Sequence, residues 1–279
     1  KLGGETRDMT LMFCDVRGFT AISEGFKANP QGLTRLINRL LTPLTGCILN
    51  REGTIDKYMG DCIMAFWNAP LDVENHTHSA CDSALAMRSA LKELNTNREQ
   101  EAAQANETFL PLNVGIGINC GECLVGNMGS DQRFDYSVLG DAVNLASRLE
   151  GQSKNYGVDV VLGEDVAKRV GDDFAIIELD LIAVKGKSEA VHIYALLGDA
   201  SMTSTTQFRT FADLHAAMIE AYRSQCWEDA EVLIAQCRDT AHEFASLDGL
   251  YDLYAERIAL FRTTPLPTDW DGVFIATSK

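Results

Sequence analysis

Apolar residues along the chain alternate between short dense runs and stretches of helical spacing. The run Met9-Thr10-Leu11-Met12-Phe13-Cys14 reads as a buried strand over 9–15. Residues 20–50 carry Leu33, Leu36, Ile37, Leu40 and Leu41 at helical intervals and predict one or two helices. A hairpin is expected next, from 48–51 across Glu52-Gly53-Thr54 into a strand over 56–66. Over 73–96, Ala80, Ala84, Met87 and Leu91 mark the inner face of an amphipathic helix, and polar residues 98–108 predict a mobile loop. Residues 112–119 and 123–127 alternate like two paired strands, with Gly115, Gly117 and Gly121 relieving crowding. A strand over 158–162, a helix over 164–170 and a terminal hairpin over 175–197 complete the pattern. Strands alternating with helices on one face point to an α+β sandwich of the ferredoxin-like type.

Beyond residue 200 the pattern changes. Residues 208–223, 227–242 and 247–261 each read as an amphipathic helix; Pro265-Leu266-Pro267 ends the third, and 269–273 form an extended tail. The run Met218-Ile219-Glu220-Ala221-Tyr222, followed by Trp227-Glu228-Asp229-Ala230, resembles one helix pair of a tetratricopeptide-like array. A single such unit cannot bury its own face, so it is expected to pack on the preceding domain or on a second copy of it. The expected organisation is a domain over 1–199 and a helical extension with a tail over 200–279.

Composition narrows the partners. Of 279 residues 46% are hydrophobic, enough for an ordinary core, and 24 basic against 40 acidic residues give a formal net charge of −16. An acidic surface repels a phosphate backbone, which argues against nucleic acid. No stretch of about 18 apolar residues is present to span a membrane, and no signal peptide stands at the start. Beginning at Lys1-Leu2-Gly3-Gly4 instead of Met, the chain is expected to be a fragment of something longer. Among eight cysteines, Cys14, Cys47, Cys62 and Cys81 sit in apolar surroundings. Cys120-Gly121-Glu122-Cys123 lacks the second pair of a zinc site and is expected at a hairpin. His76-Thr77-His78 reads as a solvated helix start. Scattered cysteines in a chain of this length fit a reduced, cytoplasmic setting.

The candidate chemistry begins with two carboxylates at strand ends, Asp15 before Val16-Arg17-Gly18-Phe19-Thr20 and Asp61 in Lys57-Tyr58-Met59-Gly60-Asp61. Two hard oxygen ligands brought together suit Mg²⁺ or Mn²⁺. The turn at Gly18 into a helix near Thr20 would aim backbone N–H groups at a phosphate chain. A third segment runs from Phe134 through Ser137, Val138 and Asp141 to Asn144, Arg148 and Glu150. Asp141 is suited to cap a helix, on which Asn144 and Arg148, four apart, share one face.

Together these segments resemble the catalytic domain of class III nucleotidyl cyclases, the adenylyl and guanylyl cyclase family, over roughly the first 195 residues. Val184-Lys185-Gly186-Lys187 resembles the family's late lysine motif for the terminal phosphates. The resemblance implies Asp15, Val16 and Asp61 as ligands of two Mg²⁺ or Mn²⁺ ions per site. It implies Gly18, Phe19, Thr20 and Lys185 at the phosphates, and Lys57, Ser137 and Val138 in substrate binding. Asn144 would orient the ribose and Arg148 would stabilise the transition state. A lysine donates to adenine N1, and Ser137 can accept from the 6-amino group, so the implied activity is ATP to 3′,5′-cyclic AMP and pyrophosphate. Many bacterial members carry Thr where Ser137 stands. A larger departure is Gly115, at a place where many members have a phosphate-holding arginine. The family's site is shared between subunits, which implies a homodimer. The alternatives are a guanylate cyclase and a catalytically silent nucleotide-binding domain. Bacterial cyclases with this kind of extension often follow a sensor domain and membrane helices, which would anchor the parent protein while this fragment makes no membrane contact.

Overall fold

The computed structural model describes residues 3–183 and 189–275, and contacts divide the chain into two compact units, 1–150 and 151–279. In the first, β1 (Gly3–Val16) is followed by α1 (Phe19–Glu24) and α2 (Pro30–Leu49). The strands β2 (Thr54–Met59) and β3 (Cys62–Trp67), the helix α3 (His76–Ala105), β4 (Val114–Gly129) and β5 (Phe134–Leu139) follow. The helix α4 (Asp141–Tyr156) begins in this unit. The strands run in the order β2-β3-β1-β4, with β5 on β4, and every pairing is antiparallel. The fold class is α+β, as the pattern predicts.

β1 is buried from Met9 to Cys14, which is why its apolar run shows no alternation. It pairs with β4 over its whole length, Gly3↔Asn127 through Val16↔Val114. The long register fixes where β1 ends, and therefore where Asp15 stands. α4 crosses β4 at Gly117, where a Cβ would meet the Glu150 amide nitrogen at 2.3 Å and the Ala146 carbonyl at 2.4 Å. Only glycine permits that approach.

Four sequence expectations are corrected. The hairpin does not turn at 52–54, because α2 carries its helical run through Ile48 and Leu49; β2 and β3 turn instead at Gly60-Asp61, where Gly60 has φ 64°. Residues 98–105 continue α3, since alanine and glutamate there favour helix, and the end comes at Asn106 with φ 55°. The two strands expected over 112–127 are one, β4, and Gly121 is extended within it. Cys120 and Cys123 therefore lie buried inside a strand, not at a hairpin.

The second unit contains β6 (Val160–Gly163), α5 (Glu164–Val170), β7 (Ala175–Ala183) and β8 (Ala190–Gly198). A short α6 (Ala200–Thr203), the helices α7 (Thr206–Arg223), α8 (Trp227–Ala241) and α9 (Asp248–Thr263), and the two-residue β9 (Phe274–Ile275) complete it. Its strands run β6-β8-β7-β9, and β9 joins β7 in parallel at Ile182↔Phe274. α7 and α9 pack on β7. His215 Nε2 donates to the Glu178 carbonyl at 2.6 Å, and the Tyr254 hydroxyl donates to the Leu179 carbonyl. Burial pushes His215 down to about 4, so the ring is neutral, and its Nδ1 accepts from the Tyr251 hydroxyl at 3.0 Å. Asp180 and Arg257 form a buried pair at 2.7 Å, with the Tyr156 hydroxyl on the same carboxylate oxygen at 2.6 Å.

Candidate active site

Asp15 is the penultimate residue of β1, and Asp61 occupies the tight turn between β2 and β3; the pairing of β1 with β3 brings the two together. Their carboxyls share a hydrogen bond. Burial foremost, then that bond and the Asp61 charge, push Asp15 up to about 6, against a Val16 amide that stabilises the anion. Glu150, at the third turn of α4, joins the same corner. Burial and then the charge of Asp15 raise it to about 7, against the pull of Arg17. Burial also holds the neighbouring Cys62 thiol up at about 12, with Asp15, Glu150 and Asp61 adding to it, so no thiolate competes as a ligand at neutral pH.

Two carboxyls pressed together against their own repulsion suit a hard divalent cation, and the oxygen donor set fits Mg²⁺ or Mn²⁺. Among the described residues no group of three or more His, Cys, Asp or Glu forms a complete metal cage. Two carboxylates without a cage suit an ion that completes its shell with substrate phosphates.

A second cluster forms on β2 and β5. The Ser137 hydroxyl donates to Asp56 Oδ2 at 2.7 Å, and Lys57 Nζ lies 3.5 Å from Asp56 Oδ1. The two residues expected at the base are thus gathered around one carboxylate. Val138, next to Ser137, is 2% exposed and belongs to the core between β1, β4 and α4. Asn144 and Arg148 lie on the exposed face of α4, while Val143, Leu145, Ala146 and Leu149 are buried. The charges acting on Asp15 and Glu150 come from within their corner, and neither Lys57 nor Arg148 is among them.

Gly18 takes φ 66° immediately before α1, so Phe19 and Thr20 open that helix directly after the carboxylate strand. Gly115 is buried on β4 directly opposite Asp15, so the residue that departs from the family's arginine faces the carboxylate corner. Lys185 lies outside the described residues. Asp56 and Glu150 went unassigned in the sequence reading. The signal for Asp56 was a charge beside Lys57 in an otherwise apolar strand; for Glu150 it was an acid on the apolar side of α4, one turn after Ala146 and two after Val143, both buried.

The Adenylate and Guanylate cyclase catalytic domain family matches residues 4–198, and the chain belongs to it. It is 39% identical over 193 residues to an adenylate cyclase of Anabaena cylindrica, covering 68% of this chain and 36% of that protein. To adenylate cyclase 1 of Rhizobium meliloti it is 32% identical over 206 residues, covering 74% of this chain and 30% of that protein. The chain therefore spans about a third of the length of these curated relatives. Among solved structures it is similar to the guanylyl cyclase Cya2, at 32% identity and TM-score 0.61 over 71% of this chain and 95% of that one. It is equally similar to the adenylyl cyclase CyaB from P. aeruginosa, at 33% identity and TM-score 0.58 over 71% of this chain and 97% of that one. One reads guanine and one adenine, so likeness at this level establishes family and fold without choosing the base.

Proposed function

We propose that the chain is the catalytic domain of an adenylate cyclase, forming 3′,5′-cyclic AMP and pyrophosphate from ATP in a site shared by two copies. The single observation that carries this reading is the meeting of the Asp15 and Asp61 carboxyls where β1 ends beside the β2–β3 turn, two hard oxygen donors that suit a divalent cation once their shared proton is lost. Asp15 and Asp61, with the main chain at Val16, would hold two Mg²⁺ or Mn²⁺ ions. Such ions acidify the ribose 3′-hydroxyl and offset charge on the phosphates. The amides of Gly18, Phe19 and Thr20 would cradle the triphosphate, and Lys185 would reach its end. Asn144 fixes the ribose so that O3′ stands in line with the α-phosphorus. Arg148 meets the charge that grows on the α-phosphoryl oxygens as the O3′–P bond forms and the bond to pyrophosphate breaks. Lys57 donates to adenine N1, and Ser137 accepts from the 6-amino group.

The carboxylate corner and the exposed Asn144/Arg148 face are drawn here from different subunits, so that a symmetric homodimer builds two sites. Mixing tests this directly. Asp61→Ala and Arg148→Ala proteins, each at least about a hundredfold slower than the parent, should regain activity when combined, because one of the two mixed sites is intact. Cyclic AMP and cyclic GMP would be assayed from ATP and GTP with Mn²⁺ or Mg²⁺. Failure to regain activity in exchanged dimers would refute the shared site. Faster turnover of GTP would instead support a guanylate cyclase.

A further inference from the structure

Asp56 is the extra residue of a β-bulge: Ile55 pairs with Ala65 and Lys57 with Met64, which leaves Asp56 no partner on β3. A bulge takes a side chain out of strand alternation and re-aims it. Here it buries a charge. The Asp56 side chain is 0% exposed beside a Lys57 that is 45% exposed. A buried carboxylate is costly unless partnered, and its partners here are Ser137 at 2.7 Å and Lys57 at 3.5 Å. Oδ1, the oxygen facing Lys57, accepts no hydrogen bond from any described residue.

A hydroxyl has one proton and two lone pairs, whereas a carboxylate only accepts. The Ser137 proton is therefore committed to Asp56, and what the serine offers a ligand is an acceptor. Lys57, kept beside Oδ1, offers a donor. Adenine presents the complement of this pair, an N1 acceptor beside a 6-amino donor; guanine presents the reverse. A serine free to rotate would serve guanine O6 as readily as the adenine amine. We infer that Asp56 is the positioning residue that sets base preference, by fixing Ser137 as an acceptor beside the donor Lys57. The inference rests on the proposed placement of Lys57 and Ser137 at the base.

Asp56→Asn in the full chain tests it. The amide is isosteric and can donate to Ser137 Oγ, which frees the serine proton for a 6-oxo group. The ATP/GTP ratio of kcat/KM should fall about tenfold, the effect of one reversed hydrogen bond. In a Ser137→Ala background the same change should leave the ratio alone, because Asp56 acts through the serine hydroxyl. An unchanged ratio in Asp56→Asn, or an equal fall without the hydroxyl, overturns the inference. Calorimetric binding of 3′-deoxy-ATP and 3′-deoxy-GTP reads the same preference without turnover. A chain that makes no cyclic nucleotide, yet prefers the adenine analogue through Asp56, would refute the proposed activity and uphold this inference. A chain that binds neither analogue would overturn both. Should a melting curve show Asp56→Asn unfolded, Asp56→Ala frees the serine proton without adding a donor. A fall of about threefold in the ratio is then expected, and none would overturn the inference.

Discussion

Two acidic clusters, one in each unit, treat buried charge in opposite ways. Asp180 in the second unit is 0% exposed and fully matched: Arg257 at 2.7 Å, the Tyr156 hydroxyl at 2.6 Å and the Leu181 amide at 2.8 Å. The Arg257 guanidinium also lies 3.5 Å from the centre of the Phe274 ring. At the carboxylate corner of the first unit Asp15, Asp61 and Glu150 crowd one another, with the Arg17 charge pulling on Glu150 and the Val16 amide on Asp15 the other way. A charge compensated in place holds the fold together. Charges left in excess call for a counter-charge the chain does not supply, as the proposed metal and phosphate site would need and a structural ion pair does not.

The largest effect expected from this contrast lies on the compensated side. Arg257→Met leaves Asp180 buried without its cation and should destabilise the second unit by about 3–5 kcal/mol. The readout is the urea unfolding midpoint. Replacing Asp180 and Arg257 together by Leu and Met should recover most of that loss, because no lone charge remains. If the double variant were as unstable as the single one, the pair would owe its worth to geometry and not to compensation.

A smaller effect is expected where the fold holds the α4 face proposed to be catalytic. A methyl group at Gly117 would meet two backbone atoms of α4 at less than 2.5 Å. Gly117→Ala should therefore lift α4 from β4 and cost about 1–3 kcal/mol. If Asn144 and Arg148 act as proposed, it should also lower turnover more than nucleotide affinity, since both ride on that helix. Turnover unchanged at equal stability loss would show that their positions do not depend on this contact.

Much of the first unit was legible because its signals are local. The apolar run of β1 ends at Asp15, and Asp141 opens the helix that presents Asn144 and Arg148 four residues apart. What escaped were features decided by distant pairing. β4 runs unbroken through Gly121 because β1 pairs with it along its whole length. The hairpin turns at Gly60 because α2 keeps its last turn through Leu49. Asp56 gains its place only from a bulge on β2 and a hydroxyl 81 positions along the chain. No spacing rule links those two residues. The helices after 205 were legible as helices, but the packing of His215 and Tyr254 on β7 was not, because both read as ordinary amphipathic positions.

The smallest effect has the opposite sign and separates the clusters most sharply. With no cation bound, Asp15 has its carboxyl raised to about 6 from an ordinary 3.8. A raised acid binds its proton more tightly in the folded chain. Its favourable share of stability is therefore complete below about pH 4 and lost as pH rises through about 6. Asp61→Asn removes the Asp61 share of that penalty, while the share due to burial remains. The metal-free variant should then be more stable than the parent at pH 8 by on the order of 1 kcal/mol, after allowance for the solvent that reaches this half-exposed pair. At pH 4 the two should melt together. Adding Mn²⁺ should reverse the order at pH 8, raising the melting temperature of the parent and leaving the variant nearly unmoved. A metal-free Asp61→Asn protein that melts below its parent at pH 8 would mean that the corner holds no excess charge, and its kinship to the Asp180 cluster would then outweigh the contrast.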